Sequence, residues 1–337
     1  MDEAKKHRVD PEKRLLRMCI TGFPAGNTLP KPSKPELADT FSIYLRNINS
    51  LNNVLWLIAI SFYFQITEGE IHARAALEAG TEIDYWPVPN DPFYAKYIAA
   101  KSRMYDEMPQ KRSVYPPGMA AGGLNSFENI AKSGDKNKEK LQALMAYLLT
   151  GAWTAFEAFA GDLWEVVLNI HPRGLSDLNG EKNRFRKGAA KGVTSEDKIN
   201  RTESQSVSLT LVQKYQYDLS AKMGSILKED RRVNFVKLEG IREAYARAFF
   251  KDSDTIDRAL NNPALDALSL VRNVLIHRAG VVDSEYVARS QKFVLAPNAK
   301  LGEILNLDGI IVSDLIRGSI MASSDLVIAV DKWIGQH

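Results

Sequence analysis

The chain has 337 residues and a formal net charge of +3, with 25% charged and 45% hydrophobic residues. These values are typical of a globular protein with one large or two modest domains and exclude a disordered chain, and with so small a charge a nucleic-acid partner would need a local basic patch. The single cysteine, Cys19, excludes an intrachain disulfide framework and favours the reducing cytoplasm.

Residues 1–130 are predicted to form an N-terminal extension that is mostly helical and contains a proline-rich irregular segment. Residues 1–18 mix acids with bases and lack the apolar core of a secretory signal, so export is not expected. A helix is expected over residues 37–49. The asparagine-rich stretch 49–53 is expected to end it.

The most apolar stretch of the chain is residues 54–64, in which only Ser61 interrupts the run. Because a membrane-spanning helix needs roughly 20 apolar residues, we expect this run to be a helix buried inside the protein. An amphipathic contact with a membrane is the alternative. A short helix over residues 68–78 follows, ended by Gly80, and His72 on it is expected to be structural or solvated.

Prolines alternate with aromatic residues over 85–123, which predicts an irregular segment with one short helix near 93–108. The aromatics could stack on single-stranded RNA together with the neighbouring bases, or the tyrosines could simply anchor loops to the core. The bases of this segment are Lys96, Lys101, Arg103, Lys111 and Arg112.

Residues 138–337 are predicted to form a helical bundle that follows a linker at 131–140. Its clearest element is a long amphipathic helix over 139–170, in which apolar residues recur three and four positions apart. Acids on this helix would normally be solvated, although Glu157 could act beside a basic helix end. Further helices are expected over 207–228, 238–250 and within 301–333, and no sustained strand alternation interrupts them. The fold class predicted is therefore all-α.

A basic loop lies between residues 181 and 201, where seven Lys or Arg outnumber three acids. Basic side chains in a flexible loop can neutralise phosphates, and each such contact makes binding more sensitive to salt. The alternative is a loop that is merely solvated. The RNA-binding candidates here are Lys182, Arg184, Arg186, Lys187 and Lys191.

One further helix, over residues 262–280, carries the only clustered candidates for chemistry. Asn262 is a suitable N-cap, Pro263 fits the first helical position, and Gly280 supplies a left-handed stop. One face is apolar, as a core-facing helix requires. Near the C-terminal end the opposite face and flank present an imidazole, an amide and a permanent cation, contributed by His277, Asn273 and Arg272.

Several common catalytic signatures are absent from the sequence: a phosphate-binding loop, a glycine-rich dinucleotide turn, a nucleophile elbow, and paired cysteines or an H-E-x-x-H motif for zinc. The five histidines are scattered. Neither a metal site nor a cofactor is therefore expected.

Arg272, Asn273 and His277, followed by Gly280 and preceded by a long helix, resemble the HEPN superfamily of helical bundles. The family motif is an arginine, usually followed by a polar residue, and a histidine a few positions on at a helix end. The resemblance covers roughly residues 138–337. It implies a HEPN-like bundle and a metal-independent endoribonuclease of defence or toxin type. A cytoplasmic location without a membrane is expected from the single cysteine, the lack of a signal and the short apolar run.

The resemblance also implies roles for the motif residues and a set of partners. His277 would serve as base or acid, Arg272 would stabilise the phosphorane, Asn273 would orient by hydrogen bonding, and Arg278 beside them would contact RNA. Because one histidine cannot easily act on both sides of an in-line displacement, a homodimer pairing two motifs is expected. The partners implied are RNA, a second copy and an antitoxin or regulatory protein. The alternative is a non-catalytic HEPN-like module that binds a partner protein or nucleotide.

Overall fold

The computed structural model describes residues 29–107, 122–123, 126–127, 129, 134–181, 184–186, 207–230 and 233–337. Within these ranges the chain is helical and contains no strand; its only β pairing is an isolated antiparallel bridge between Val281 and Ile304. The all-α fold class predicted from the sequence is confirmed.

The helices follow one another along the chain and are numbered here in order. They are α1 (Pro35–Ala79), α2 (Tyr94–Asp106), α3 (Asp135–Ile170), α4 (Leu209–Lys214), α5 (Met223–Glu229), α6 (Leu238–Ala248), α7 (Asp254–Leu260), α8 (Pro263–His277), α9 (Ser284–Ser290) and α10 (Gly309–Gln336). A short 3-10 turn at Arg184–Arg186 lies between α3 and α4.

The described residues form two compact units. The first unit comprises residues 52–141, and the second comprises residues 29–51 together with 142–337. In the first unit, apolar side chains of α1 and α2 make a common core. Three of its members are alanines, whose small side chains let the two helices pack closely. The core residues are Ile71, Ala75, Ala79, Tyr97, Ala100 and Met104.

The second unit is built around α3, against which the beginning of α1 packs. The Tyr44 ring lies 4.8 Å from that of Phe159, and the Phe41 ring lies 5.8 Å from it. Asp331 of α10 accepts hydrogen bonds from the backbone N–H groups of Ser33 and Lys34, at 2.7 and 3.1 Å. A carboxylate at this position suits the partial positive charge of the α1 N-terminus.

Helix α6 is tied to α3 by two buried side-chain to backbone hydrogen bonds. The indole N–H of Trp164 donates to the carbonyl of Ala244 at 3.1 Å, and the Tyr245 hydroxyl donates to the carbonyl of Ala160 at 2.9 Å. Both aromatic side chains are fully buried. Their polar ends are satisfied, so burying them carries no unpaired polar group.

Helix α1 runs without interruption from Pro35 to Ala79, so the break predicted at residues 49–53 is wrong. Ser50 donates its hydroxyl to the Arg46 carbonyl four residues earlier, at 3.0 Å, and so remains compatible with the helix. Ile48, Leu51 and Leu55 are buried in succession across the expected break. Burial of this stripe outweighs the weak local preference of asparagine and serine for turns.

The prediction that residues 54–64 are buried is only partly correct. Leu55 and Ala59 are buried, whereas Leu57 is 67% exposed and Phe64 is 49% exposed. Two described helical stretches, Pro35–Ala79 and Lys138–Ile170, are long and apolar enough to cross a membrane by length and composition alone. Core helices of soluble proteins meet the same criterion, so the expectation of no membrane contact stays a prediction.

Two other boundaries differ from those predicted. Helix α3 begins at Asp135, so the second half of the expected linker at 131–140 is helical. The single helix expected over 207–228 is instead two short helices, α4 and α5, because Gln216 and Tyr217 adopt positive φ angles of 55° and 59°. Two successive left-handed residues cannot continue a right-handed helix.

Candidate functional site

Helix α8 carries the predicted motif, and its beginning forms as the sequence predicts. The side chain of Asn262 accepts a hydrogen bond from the backbone N–H of Ala264 at 3.0 Å, and Pro263 occupies the first turn. The cap satisfies a free helix donor, and the proline needs none. Sequence and structure therefore agree on where this helix starts.

The end of α8 is fixed by backbone hydrogen bonds. The N–H groups of Arg278 and Gly280 both donate to the carbonyl of Val274, at 3.1 Å, and Gly280 has a φ of 84°. The Gly280 carbonyl then accepts from the N–H of Leu305 at 2.8 Å. Ala279, with a φ of 50°, is the first left-handed residue after the helix, so the stop begins one residue before the glycine expected from the sequence. The pairing with residues 302–305 holds the turn in place.

Two contacts position the body of α8 in the second unit. Arg242 of α6 binds both carboxylate oxygens of Asp266, at 2.9 and 2.7 Å. On another side Gly318 of α10 lies so close to Ala264 that a Cβ at residue 318 would come within 2.3 Å of the alanine Cβ. Helix α8 is thus held by a polar clamp and by a close helix contact, and its C-terminal motif has a defined place.

Arg272 projects from α8 in a half-buried position and contacts its neighbour in sequence. Its Nη1 donates to Oδ1 of Asn273 at 3.2 Å, while its Nε is buried and has no hydrogen-bond partner. A buried donor without a partner costs about 1–3 kcal/mol, so an acceptor placed there would be stabilising. The structure therefore brings Arg272 and Asn273 together and leaves part of the guanidinium available.

Glu157 of α3 lies close enough to Arg272 for the guanidinium to act on its ionisation. Burial raises the pKa of the Glu157 carboxyl, whereas the indole of Trp153 and the positive charge of Arg272 lower it by less. Glu157 and Arg272 make no direct ion pair. Glu157 Oε1 and Trp153 Nε1 are both buried, and neither atom has a hydrogen-bond partner. The indole N–H is nevertheless close enough to lower the pKa of the Glu157 carboxyl.

The site therefore contains two buried donors and one buried acceptor without hydrogen-bond partners. The donors are the indole N–H of Trp153 and the Nε–H of Arg272, and the acceptor is a carboxyl oxygen of Glu157. Sequence reasoning singled out Glu157 only in passing and missed Trp153. The available signal was their spacing of four residues, which places both on one side of α3. Their proximity to Arg272 depends on the packing of α3 and α8 and has no local signature.

His277 occupies the last position of α8 and is exposed. Within the described part of the chain its side chain makes no hydrogen bond or ion pair, so it hydrogen-bonds to neither Arg272 nor Asn273. Arg278, the next residue, is 62% exposed, and its Nε lies 3.6 Å from a carboxylate oxygen of Asp283. The three motif residues share a helix, but only Arg272 and Asn273 are joined by a hydrogen bond.

The basic loop contributes less to a nucleic-acid surface than its composition suggests. Arg184 is directed inwards: it donates to the carbonyl of Phe249 at 2.6 Å and pairs with Asp257 at 2.5 Å. Arg186 belongs to the same 3-10 turn. Lys182, Lys187 and Lys191 lie outside the described residues, so their predicted contacts with RNA stay predictions.

No group of three or more His, Cys, Asp or Glu that could hold a metal ion occurs among the described residues. Comparisons with models of known protein families, with curated protein sequences and with solved structures give no significant match to this chain. The candidate site therefore has to be judged on its own chemistry.

Proposed function

We propose that this chain is a metal-independent endoribonuclease of the HEPN type, with a defence or toxin role. It would cleave RNA by attack of the 2′-hydroxyl and leave 2′,3′-cyclic phosphate and 5′-hydroxyl ends. The observation that carries the proposal is the half-buried Arg272, whose Nε has no partner, beside a carboxyl with a raised pKa and five residues before an exposed histidine. Such a cleavage needs a cation for the phosphate and groups that exchange protons, and arginine and imidazole can supply them.

Each group has a task in this mechanism. The guanidinium of Arg272 binds the scissile phosphate and stabilises the charge that accumulates on the phosphorane. His277 exchanges a proton with the 2′-hydroxyl or with the departing 5′-oxygen, and its exposure allows RNA to reach it. Asn273 holds the arginine through its side-chain oxygen, at 3.2 Å from Nη1.

A homodimer forms part of the proposal because one chain offers only one exposed imidazole at this helix end. In-line displacement needs a base on the attacking side and an acid on the leaving side. Two copies of the α8 C-terminus that face each other would supply both. Arg278, exposed beside His277, would hold a flanking phosphate.

The second candidate is a non-catalytic HEPN-like module that binds a partner protein or a nucleotide. It is favoured by one observation: among the described residues, His277 makes no side-chain hydrogen bond to Arg272 or Asn273. A binding module needs the positive charge of Arg272 but has no use for a histidine that exchanges protons. The two candidates therefore differ in what happens when His277 alone is replaced.

The deciding experiment incubates purified protein with total RNA in the presence of EDTA. We expect cleavage by wild type, none by His277→Ala, and none by Arg272→Ala or Arg272→Lys. Arg258→Ala, which removes an exposed arginine of α7, is the matched control and should cleave normally. Equal cleavage by His277→Ala, or no cleavage by wild type, would reject the enzyme and leave the binding module.

A further inference from the structure

The loop of residues 80–93, which joins α1 to α2 in the first unit, exposes an uncommon set of side chains. It contains three acidic residues and no Lys or Arg. Five large apolar side chains in it are between 42% and 60% exposed. They are Ile83, Tyr85, Trp86, Val88 and Phe93. We refer to residues 80–93 as the acidic aromatic loop.

The Trp86 ring is held by stacking on a histidine and still exposes more than half of its surface. Its ring stacks on the imidazole of His72, with centroids 3.6 Å apart and planes 6° from parallel. His72 is itself fixed: Nε2 lies 2.9 Å from the Ile83 carbonyl and Nδ1 lies 2.8 Å from the Tyr97 hydroxyl. Since a carbonyl only accepts, Nε2 carries the proton and Tyr97 donates to Nδ1. The Lys101 ammonium also lies over the indole, 5.6 Å from its centroid, and 55% of the Trp86 surface remains exposed.

Backbone and side-chain hydrogen bonds order the rest of the loop. The N–H of Tyr85 donates to the Glu82 carbonyl at 3.1 Å, and the N–H of Phe93 donates to Oδ1 of Asp91 at 2.9 Å. The Tyr85 hydroxyl donates to the other oxygen of Asp91. These bonds present the apolar side chains to solvent in a fixed arrangement, and fixed aromatic side chains lose little entropy when a partner binds.

The charge around this loop is negative. Residues 68–107 contain eight acids and four bases. Two of those bases are already paired, Lys101 with Glu68 and Arg103 with Glu78, both at 2.5 Å. Glu82 and Asp84 are exposed and take part in no ion pair within the described residues. This field repels the phosphates of RNA and attracts cations, so it disfavours the stacking of single-stranded RNA considered from the sequence.

From these observations we infer that the acidic aromatic loop is a docking surface for a cationic segment of a partner protein, one with arginine beside apolar residues. A guanidinium of that segment contacts the exposed part of the Trp86 ring, which already attracts the Lys101 ammonium. Glu82 and Asp84 supply its counter-charge, and Tyr85 and Val88 cover the apolar side chains. The inference does not depend on ribonuclease activity, because every residue it uses lies in the first unit.

The test uses a fluorescent synthetic peptide of alternating arginine and leucine and the same peptide with glutamine in place of arginine. Anisotropy at low salt is expected to show binding of the first and not of the second. Trp86→Ala should weaken binding about tenfold, in line with a partly desolvated cation–π contact, while Trp86→Phe should weaken it less. The double variant Glu82→Gln, Asp84→Asn should weaken it about fivefold.

Matched controls separate this surface from general stickiness. Tyr147→Ala removes an aromatic side chain that is also 55% exposed, and Asp39→Asn with Asp325→Asn removes two exposed acids outside residues 68–107. All controls should bind as wild type does. The inference is overturned if loop and control variants weaken binding equally, if the arginine peptide does not bind, or if single-stranded RNA binds and competes at Trp86.

Discussion

Arg242 and Asp266 form a two-pronged ion pair, in which each terminal nitrogen of the guanidinium meets one carboxylate oxygen, at 2.9 and 2.7 Å. The same guanidinium also donates to the carbonyl of Leu260, at 2.8 and 3.1 Å. Arg242 thus connects α6, the end of α7 and the first turn of α8. Only 13% and 16% of the two side chains are exposed, so water screens the pair weakly.

Replacing Arg242 by alanine is expected to lower the free energy of unfolding by about 2–4 kcal/mol, because it leaves a carboxylate and a carbonyl without their donor in a mostly buried place. Urea denaturation followed by circular dichroism measures the loss. Arg289→Ala is the control, since Arg289 pairs with Glu285 at an exposed site and should cost about 1 kcal/mol or less. Equal losses in the two variants would show that the Arg242–Asp266 pair contributes no more to stability than an exposed ion pair.

The contact between α8 and α10 depends on the absence of a side chain at Gly318. A Cβ there would approach that of Ala264 to 2.3 Å, so Gly318→Ala must push the helices apart. We expect a destabilisation of about 1–3 kcal/mol and a lower melting temperature. Gly335→Ala, in the same helix with nothing within 4 Å of its Cβ, should be neutral or slightly stabilising. Melting temperatures that shift alike would rule out this contact.

Arg184 is predicted to act on stability rather than on RNA. Burial raises the pKa of Asp257, against the lowering effect of the Arg184 guanidinium, so the ion pair only partly offsets the cost of burying this carboxyl. Arg184→Ala should therefore cost about 1–3 kcal/mol by urea denaturation, since two carbonyls and Asp257 lose a donor. Lys292→Ala, which removes an exposed lysine, should leave stability unchanged. A variant of Arg184 that melts normally but binds RNA with a flatter salt dependence would reverse this assignment.

The raised pKa of Glu157 predicts how stability depends on pH. A carboxyl whose folded pKa exceeds its unfolded value binds more protons in the folded state, so it stabilises most at pH values below the unfolded pKa. That contribution is lost as the pH rises through the folded pKa. Relative to Glu157→Gln, wild type should therefore lose stability as the pH is raised from acidic values towards neutrality. Denaturation midpoints of both proteins across that range measure the difference, and a constant difference would show that Glu157 is not perturbed.

Sequence reasoning succeeded where the determinants are local. The start and end of α8 follow from Asn262, Pro263 and Gly280, whose effects act within a few residues. It failed for α1, where burial of a continuous apolar stripe overrode the asparagines near residue 50. The inward direction of Arg184 could not be predicted, because its partner Asp257 is 73 residues away in the sequence. The composition of a basic loop is the same whether its arginines form ion pairs or remain in solvent.

The proposed site, which combines residues of two copies, predicts how the activity of mixed dimers differs from that of independent chains. If each cleavage needs His277 from both copies, a mixed dimer of wild type and His277→Ala is inactive. After the two proteins are mixed in equal amounts and allowed to exchange subunits, only the pure wild-type dimers cut RNA. Cleavage should then fall to about a quarter of that of wild type at the same total concentration, instead of the half expected from independent sites. Arg258→Ala mixed in the same way should leave the rate unchanged. A value of about one half, measured after subunit exchange is complete, would show that each protomer cuts alone and that the proton-transfer partner of His277 lies within its own chain. Glu157, whose carboxyl interacts electrostatically with Arg272, would be the first residue to replace.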